Sequence, residues 1–257
     1  MQSNILEKLK DDKEYYGGIG KNYVSNSDIS TLLFNPQNFG KDREKTAAMV
    51  KGSYLHHLIL EPTKAESVQF VDASTRNTKL YKEYIKESEE DIVLLKSEKE
   101  LMEELSNIMT MKFDFYEKIF NENSLIEQPF IKEHHGVMWK GKADIVNHTG
   151  YTNEHEQLVT YAIDIKTTSD INRFSYSASK FNYDSQAYLY KDGFGVDEFW
   201  FFVICTTNKV CGMFKAEQSF LERGAEKVRR ASENYLKYFG KDKVDDPTNF
   251  YIEGKLF

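Results

Sequence analysis

Cysteine is nearly absent from this chain, proline is scarce, basic residues are outnumbered by acidic ones, and no apolar run approaches a membrane span. Each shortage excludes something. The two cysteines, Cys205 and Cys211, cannot build a four-cysteine zinc site or hold an iron–sulfur cluster. They flank a predicted hairpin turn at Thr206-Thr207-Asn208-Lys209 and are expected to be packing residues, because cytosolic chains rarely keep structural disulfides. Without about 20 consecutive apolar residues there is no transmembrane helix to expect. The opening Met1-Gln2-Ser3-Asn4-Ile5-Leu6-Glu7-Lys8 lacks the apolar stretch of a secretory signal. We therefore expect a cytoplasmic protein with no membrane partner. A net charge of −7 argues against a general polyanion binder, which needs clustered lysine and arginine. It leaves room for a nucleic-acid enzyme, since metal-holding carboxylates count in that tally and basic groups can line a single groove. Local basic groups stand at Lys140 with Lys142 and at Arg223, Lys227, Arg229 and Arg230. Each fits an ordinary solvated face as well as a DNA track.

An apolar content of 40% with 14% aromatics supports a filled core, and the length fits one substantial domain. Residues 1–24, punctuated by Gly17, Gly18 and Gly20, are expected to be an extended segment. Residues 25–121 are expected to be helical. Ser25-Asn26-Ser27-Asp28 offers N-cap residues before Ile29, Leu32 and Leu33, and Pro36 ends that short helix. A longer helix is predicted from about Glu44 to Glu61, stopped by Pro62. Residues 79–121, charge-rich with Leu101, Leu105 and Ile108 recurring, are expected to be helical and peripheral. From Leu125 the period changes to two. Strands are predicted over 125–132 and 136–147, joined at His134-His135-Gly136, and over 158–168, where Val159, Tyr161, Ile163 and Ile165 alternate with Thr160, Ala162, Asp164 and Lys166. A helix near 177–192, strands near 198–205 and 210–216, and a last helix over 219–239 complete a core at 122–240. The aromatic tail, 241–257, is expected to dock. The whole, 1–257, is expected to be one domain.

Chemistry concentrates at Gly141-Lys142-Ala143-Asp144 and Asp164-Ile165-Lys166. On a strand Asp164 and Lys166 share one face while Ile165 points into the core, and the Ile165 carbonyl is a further oxygen donor. Two carboxylates on neighbouring strands suit Mg²⁺, which takes hard oxygen ligands. Mn²⁺ fits the same set, the more so with a histidine present. Metal-assisted hydrolysis of a phosphodiester is the chemistry such a set supports, with Lys166 orienting water or stabilising charge on the phosphate. An exposed polar strand face, with Asp164 and Lys166 paired, is the alternative. In Gly52-Ser53-Tyr54-Leu55-His56, Gly52 and His56 stack on one helix face, so His56 is a candidate metal ligand or a core histidine; His57 points elsewhere and is expected to be packing or surface. Tyr183, Gln186 and Tyr190 form one helical stripe. A stripe of this kind is usually core, but a buried glutamine amide needs partners.

Asp144, Asp164-Ile165-Lys166 and the Gln186-x-x-x-Tyr190 helix together resemble the PD-(D/E)XK nuclease superfamily, in its RecB-like branch. Met49 to His56 with Leu60-Glu61-Pro62, and Tyr183-Asp184-Ser185-Gln186 leading to Tyr190-Lys191-Asp192-Gly193, resemble the phage-type RecE, or exodeoxyribonuclease VIII, group. So does the segment from Val24 through Ser27 to Pro36 and Phe39. The resemblance implies an α/β, restriction-endonuclease-like core with a mixed central β-sheet flanked by helices and an N-terminal helical elaboration. It implies His56, Asp144, Asp164 and the Ile165 carbonyl as metal ligands, Lys166 as the catalytic lysine, and Gln186 and Tyr190 near DNA. Glu127 is a further ligand candidate and Ser27 a DNA-contact candidate. It further implies a Mg²⁺-dependent 5′-to-3′ exonuclease on linear double-stranded DNA, often a ring-shaped homo-oligomer beside a single-strand annealing recombinase, phage-encoded and acting in the bacterial cytoplasm. A nuclease on single strands or junctions, or a degenerate binding module, are the competing readings. Ala143 stands where the superfamily's proline would precede Asp144.

Overall fold

The computed structural model describes residues 2–42 and 44–253. Two short helices open the chain, α1 (Gln2–Lys8) and α2 (Asp12–Tyr16). The expectation of an extended start is therefore corrected. Asp11 accepts hydrogen bonds from the Lys13 and Glu14 N–H groups and starts α2, Leu9 is fully buried, and Gly17 follows the helix as its C-cap. The glycines punctuate the helices from outside rather than dissolving them.

Strand β1 (Val24–Ser25) and helix α3 (Ile29–Phe34) lead to α4 (Ala47–Leu60), capped by Thr46 and closed ahead of Pro62, which opens α5 (Pro62–Glu66). Strands β2 (Phe70–Val71) and β3 (Leu94–Leu95) pair in parallel around α6 (Lys79–Glu87). Helices α7 (Lys96–Thr110) and α8 (Phe113–Ile119) follow. This stretch is helical as expected but not peripheral. Met102, Leu105, Met109, Phe115 and Ile119 are buried in one cluster with Ile145, Ile163, Ile165 and Phe202 of the sheet. The charge density that suggested a peripheral position belongs to the outer face of amphipathic helices, whose inner face seats on the sheet.

The sheet is built from β4 (Leu125–His134), β5 (Val137–Thr152), β6 (Leu158–Thr168), β7 (Glu198–Cys205) and β8 (Cys211–Lys215), with β1 at its margin. His135 and Gly136, at φ 52° and 76°, make the tight β4–β5 turn, the left-handed pair that a two-residue hairpin requires. Strands β5 and β6 pair antiparallel, β6 and β7 parallel, β7 and β8 antiparallel. The sheet is thus mixed.

The expected single helix near 177–192 is two, α9 (Phe174–Lys180) and α10 (Tyr183–Phe194). Asn182, at φ 58°, breaks the helical path between them, a conformation asparagine tolerates better than most residues. Helix α11 (Gln218–Phe239) packs beside α10 and α3. It covers the second sheet face, where Trp139, Phe199, Phe201 and Val203 meet Ala187, Leu189, Val228 and Ala231. Helices therefore lie on both faces of a mixed sheet. In the tail Phe250 packs edge-on against Tyr238; residues 254–257 lie outside the described residues. No helix of the described residues is long and apolar enough to cross a membrane.

A candidate active site where two strands part

Strand β5 carries β4 along one edge, from Leu125 opposite Val146 to His134 opposite Val137. Its other edge is shared. β1 pairs there at Trp139 and Lys140, and β6 only from Ile145 onward. Among the described residues the stretch Gly141–Asp144 has no strand partner on that edge, so β5 and β6 part there. Unpaired backbone groups in such a gap need side chains to satisfy them. The Ile165 N–H donates to Asp144 Oδ2, and the Lys142 N–H points to the Tyr190 hydroxyl at 3.4 Å. The Ile165 carbonyl lies 2.7 Å from His56 Nε2.

Into this gap come the side chains that the sequence left far apart. Asp144 and Asp164 are 5% and 3% exposed. Lys166 forms an ion pair with Asp164 Oδ2, an oxygen that has no well-directed hydrogen bond, and the Gln186 amide donates to Asp164 Oδ1. Asp164 and Lys166 are therefore paired, but the pair is buried in a cluster rather than displayed on a solvated strand face. From α4, His56 Nδ1 stands 3.4 Å from Asp144 Oδ1. Glu127, between Ile126 opposite Ile145 and Gln128 opposite Ala143, is skipped by the β4–β5 ladder and stands at φ 52°, a left-handed residue inside a strand.

The charges are strongly coupled. Burial alone would suppress the His56 imidazolium, yet Asp144 and then Asp164 outweigh it and lift the group to about 9. Burial raises the Asp144 carboxyl, but His56 and Lys166 hold it below the ordinary carboxylate range. Asp164 moves up, through burial and then the nearby Asp144, against the pull of Lys166. Burial disfavours the Lys166 ammonium, and Asp164 more than restores it. Glu127 is pushed up by burial and by Asp144. Burial is the main reason that Glu127 and Asp164 move up, and the charge on Asp144 adds to it.

The donor set fits a divalent metal ion. His56, Glu127 and Asp144 each place a ligand atom within 4.8 Å of the others, the Ile165 carbonyl lies beside His56 Nε2, and Asp164 is near enough to feel the charge of Asp144.

Three residues near this cluster were not singled out as part of it by sequence. Lys142 is largely buried and bridges Glu127 at 2.9 Å and Asp12 of α2 at 2.6 Å. Lys140 is 6% exposed and donates to the Tyr15 carbonyl. Neither lysine lies on a solvated basic track, so that reading is corrected. The link from Lys142 to Glu127 had one visible signal, the two-residue spacing from Asp144 that puts both on one strand face; Asp12 had none. Of the other basic group, two members are engaged. Arg229 is paired with Glu226 and Glu233, and Lys227 with Asp184.

Gln186 and Tyr190 are each 7% exposed and turn inward to Asp164 and the β5 backbone. Ser27 is exposed, with its hydroxyl 2.8 Å from Ser25, in a turn that neighbouring Asn26 ties to α10 through Asn182 and Ser185. His57 is half-buried beside Ser53 and Glu61. A Cβ added at Gly52 would meet nothing within 4 Å, so protein packing does not demand glycine there. Gly52→Ala should stabilise α4 by about 1 kcal/mol. If a phosphodiester must pass over that helix face beside His56, the same change should slow cleavage. Urea denaturation and a digestion time course on one preparation would separate the two effects; unchanged cleavage would remove Gly52 from the site.

A comparison with curated proteins found no match. Among solved structures, a protein from Eubacterium rectale described as a "putative exonuclease" is 15% identical, with 96% of each chain covered and a TM-score of 0.66. At that identity the likeness is one of fold. A second, SSO0001, is 17% identical over 72% of this chain and 85% of its own, at a TM-score of 0.35, too low to bear on the fold. The family profile described as "PDDEXK-like domain of unknown function (DUF3799)" matches residues 33–247. With the mixed sheet, the flanking helices and the acidic gap between β5 and β6, this chain belongs to that PDDEXK-like family.

Proposed function

We propose that the chain is a metal-dependent deoxyribonuclease forming a single nuclease domain, and that it acts as an exonuclease on the ends of linear double-stranded DNA. One observation carries the reading: Asp144, Asp164, Lys166, Glu127 and His56 converge on one gap in the sheet. His56, Glu127, Asp144, Asp164 and the Ile165 carbonyl would hold Mg²⁺ or Mn²⁺. Bound there, the ion would supply a bound water of lowered pKa and neutralise charge on the phosphate.

The rest falls to the chain's own groups. Lys166, held charged by Asp164, sits where an ammonium can orient the attacking water and stabilise charge developing on phosphoryl oxygens. Gln186 holds Asp164 by its amide, and Tyr190 holds the open β5 edge by its hydroxyl. Both are positioning residues here, acting from behind the carboxylates rather than on DNA. Lys142 holds Glu127 toward the gap. The finer reading, a 5′-to-3′ enzyme of the RecE type working as a homo-oligomeric ring with an annealing recombinase, rests on the motifs around Gly52 and Gln186. A ring would also explain how a chain of net charge −7 approaches DNA, by gathering few basic groups in an inner channel.

The test is digestion of linear against covalently closed circular duplex in Mg²⁺. Loss of the linear form alone is expected. Cutting of both would replace the exonuclease by an endonuclease.

A further inference from the structure

The segment between β6 and α10 brings cations and exposed rings together with no acidic residue among them. From Ile171 to Tyr183 it holds no aspartate or glutamate, in a chain that carries 41 of them. It holds Arg173, Lys180, Phe174, Tyr176, Phe181 and Tyr183. Phe174 and Ala178 face inward and anchor α9 on the core. Tyr176 and Lys180, four apart, share one face of α9, Arg173 stands just before its first turn, and all three are exposed. Tyr176 is 66% exposed and Phe181 56% exposed.

The two cations have aromatic rather than acidic neighbours. Arg173 lies 5.9 Å from the Tyr176 ring centre and Lys180 5.6 Å from that of Phe181. Among the described residues neither forms a salt bridge, while lysines and arginines elsewhere repeatedly do, as Lys142, Lys227 and Arg229 show. Large exposed rings beside unneutralised cations are poorly explained by folding. Solvent-facing aromatics gain nothing from the core.

The surface is continuous with the candidate site. The Lys166 ammonium lies 5.0 Å from the Tyr183 ring, and Tyr183 lies 6.1 Å from Phe181. One ring therefore separates the proposed catalytic lysine from the exposed patch. A double helix is a poor occupant, because its bases are stacked on each other and offer no free faces to protein rings. A single strand offers both what the rings and the cations take: unstacked base faces and a phosphate every nucleotide.

We propose that the outer face of α9, with Arg173, Tyr176, Lys180 and Phe181, is a stacking platform for single-stranded DNA at the mouth of the active site. Resting on the nuclease reading, it makes the species that approaches Lys166 a frayed strand rather than an intact duplex. Tyr176 and Phe181 hold successive bases, Arg173 and Lys180 the phosphates between them. Because stacking accepts any base, the platform has little sequence preference.

The experiment measures anisotropy of a fluorescent oligothymidylate, roughly 15 nucleotides long, bound to the full chain in EDTA so that nothing is cut. The wild type should bind it more tightly than an abasic strand of equal length. Tyr176→Ala with Phe181→Ala should weaken that binding on the order of tenfold or more and remove the preference over the abasic strand. Arg173→Gln with Lys180→Gln should flatten the salt dependence by about 1.4 in logarithmic slope, roughly 0.7 for each phosphate that is no longer neutralised. Hydrolysis of bis(p-nitrophenyl) phosphate in Mn²⁺, which needs no platform, should be unchanged in both variants. Oligothymidylate affinity within twofold of wild type in the folded ring variant would overturn the platform. A wild type that binds the strand but fails on the chromogenic diester would instead strike the nuclease reading and leave the platform standing.

Discussion

Lys166→Ala should reduce cleavage of linear duplex by at least about 10²–10³-fold, the range seen when one preorganised charge-stabilising group is removed. The side chain is buried against Asp164 and, among the described residues, no other cation is paired with that carboxylate, so neighbouring residues offer no substitute. Breaking a buried pair by removing one partner ordinarily costs roughly 3–5 kcal/mol. Here the cost is softened, because Asp164 is already pushed toward its neutral form by burial and by Asp144, and protonation relieves the charge left behind. A folded but inactive protein is the expected result. Single-turnover digestion of end-labelled duplex, with a circular-dichroism melt on the same preparation, reads both quantities. Cleavage within tenfold of wild type, from a folded variant, would mean that the catalytic lysine lies elsewhere.

Asp144→Asn is expected to have the second largest effect, and on a different quantity. The amide oxygen can still accept the Ile165 N–H that Asp144 Oδ2 accepts, so the gap between β5 and β6 keeps its shape. What is lost is the charge. Asp144 is the strongest attraction acting on His56 and contributes to the rise of Glu127 and Asp164. The variant should therefore lose metal affinity rather than fold. In the wild type, metal at about 100 times its Kd should stabilise the folded state by about 2.7 kcal/mol, visible as an upward shift in melting temperature. In Asp144→Asn that shift should vanish at the same metal concentration, with cleavage undetectable. A metal-dependent shift equal to that of wild type would exclude Asp144 from the ion's shell and move the site toward Asp164 and Glu127 alone.

Much of the sheet was legible before any coordinate. β6 runs from Leu158 to Thr168 as its alternation of apolar and polar residues predicts, and β7 from Glu198 to Cys205 as a continuous apolar run, the form that a strand buried on both faces takes. Helix α4 ends before Pro62 for a local reason, the steric demand that proline places on its predecessor. The errors lie where local signals conflict with packing. Glycines at 17, 18 and 20 suggested an extended start, yet Asp11 caps a helix there. Charged residues on α7 suggested a peripheral helix, yet its inner stripe is core. Asn182 divides α9 from α10 by a single backbone conformation that composition does not announce.

By itself the sequence determined which chemistry was available: Asp144, Asp164 and Lys166 at strand spacing, His56 on a helix face and Gln186 in an aromatic stripe. Short-range periodicity decides which residues share a face, and that much is local. Only the tertiary structure decided that β5 gives its far edge first to β1 and then to β6. That division opens the gap where Asp144 replaces a backbone acceptor for Ile165, where His56 arrives from α4, and where Lys142 ties Asp12 to Glu127. The sequence separations are too long for local pattern to encode. They are fixed by burial of both sheet faces, which positions each strand against its neighbours and leaves one stretch unpaired.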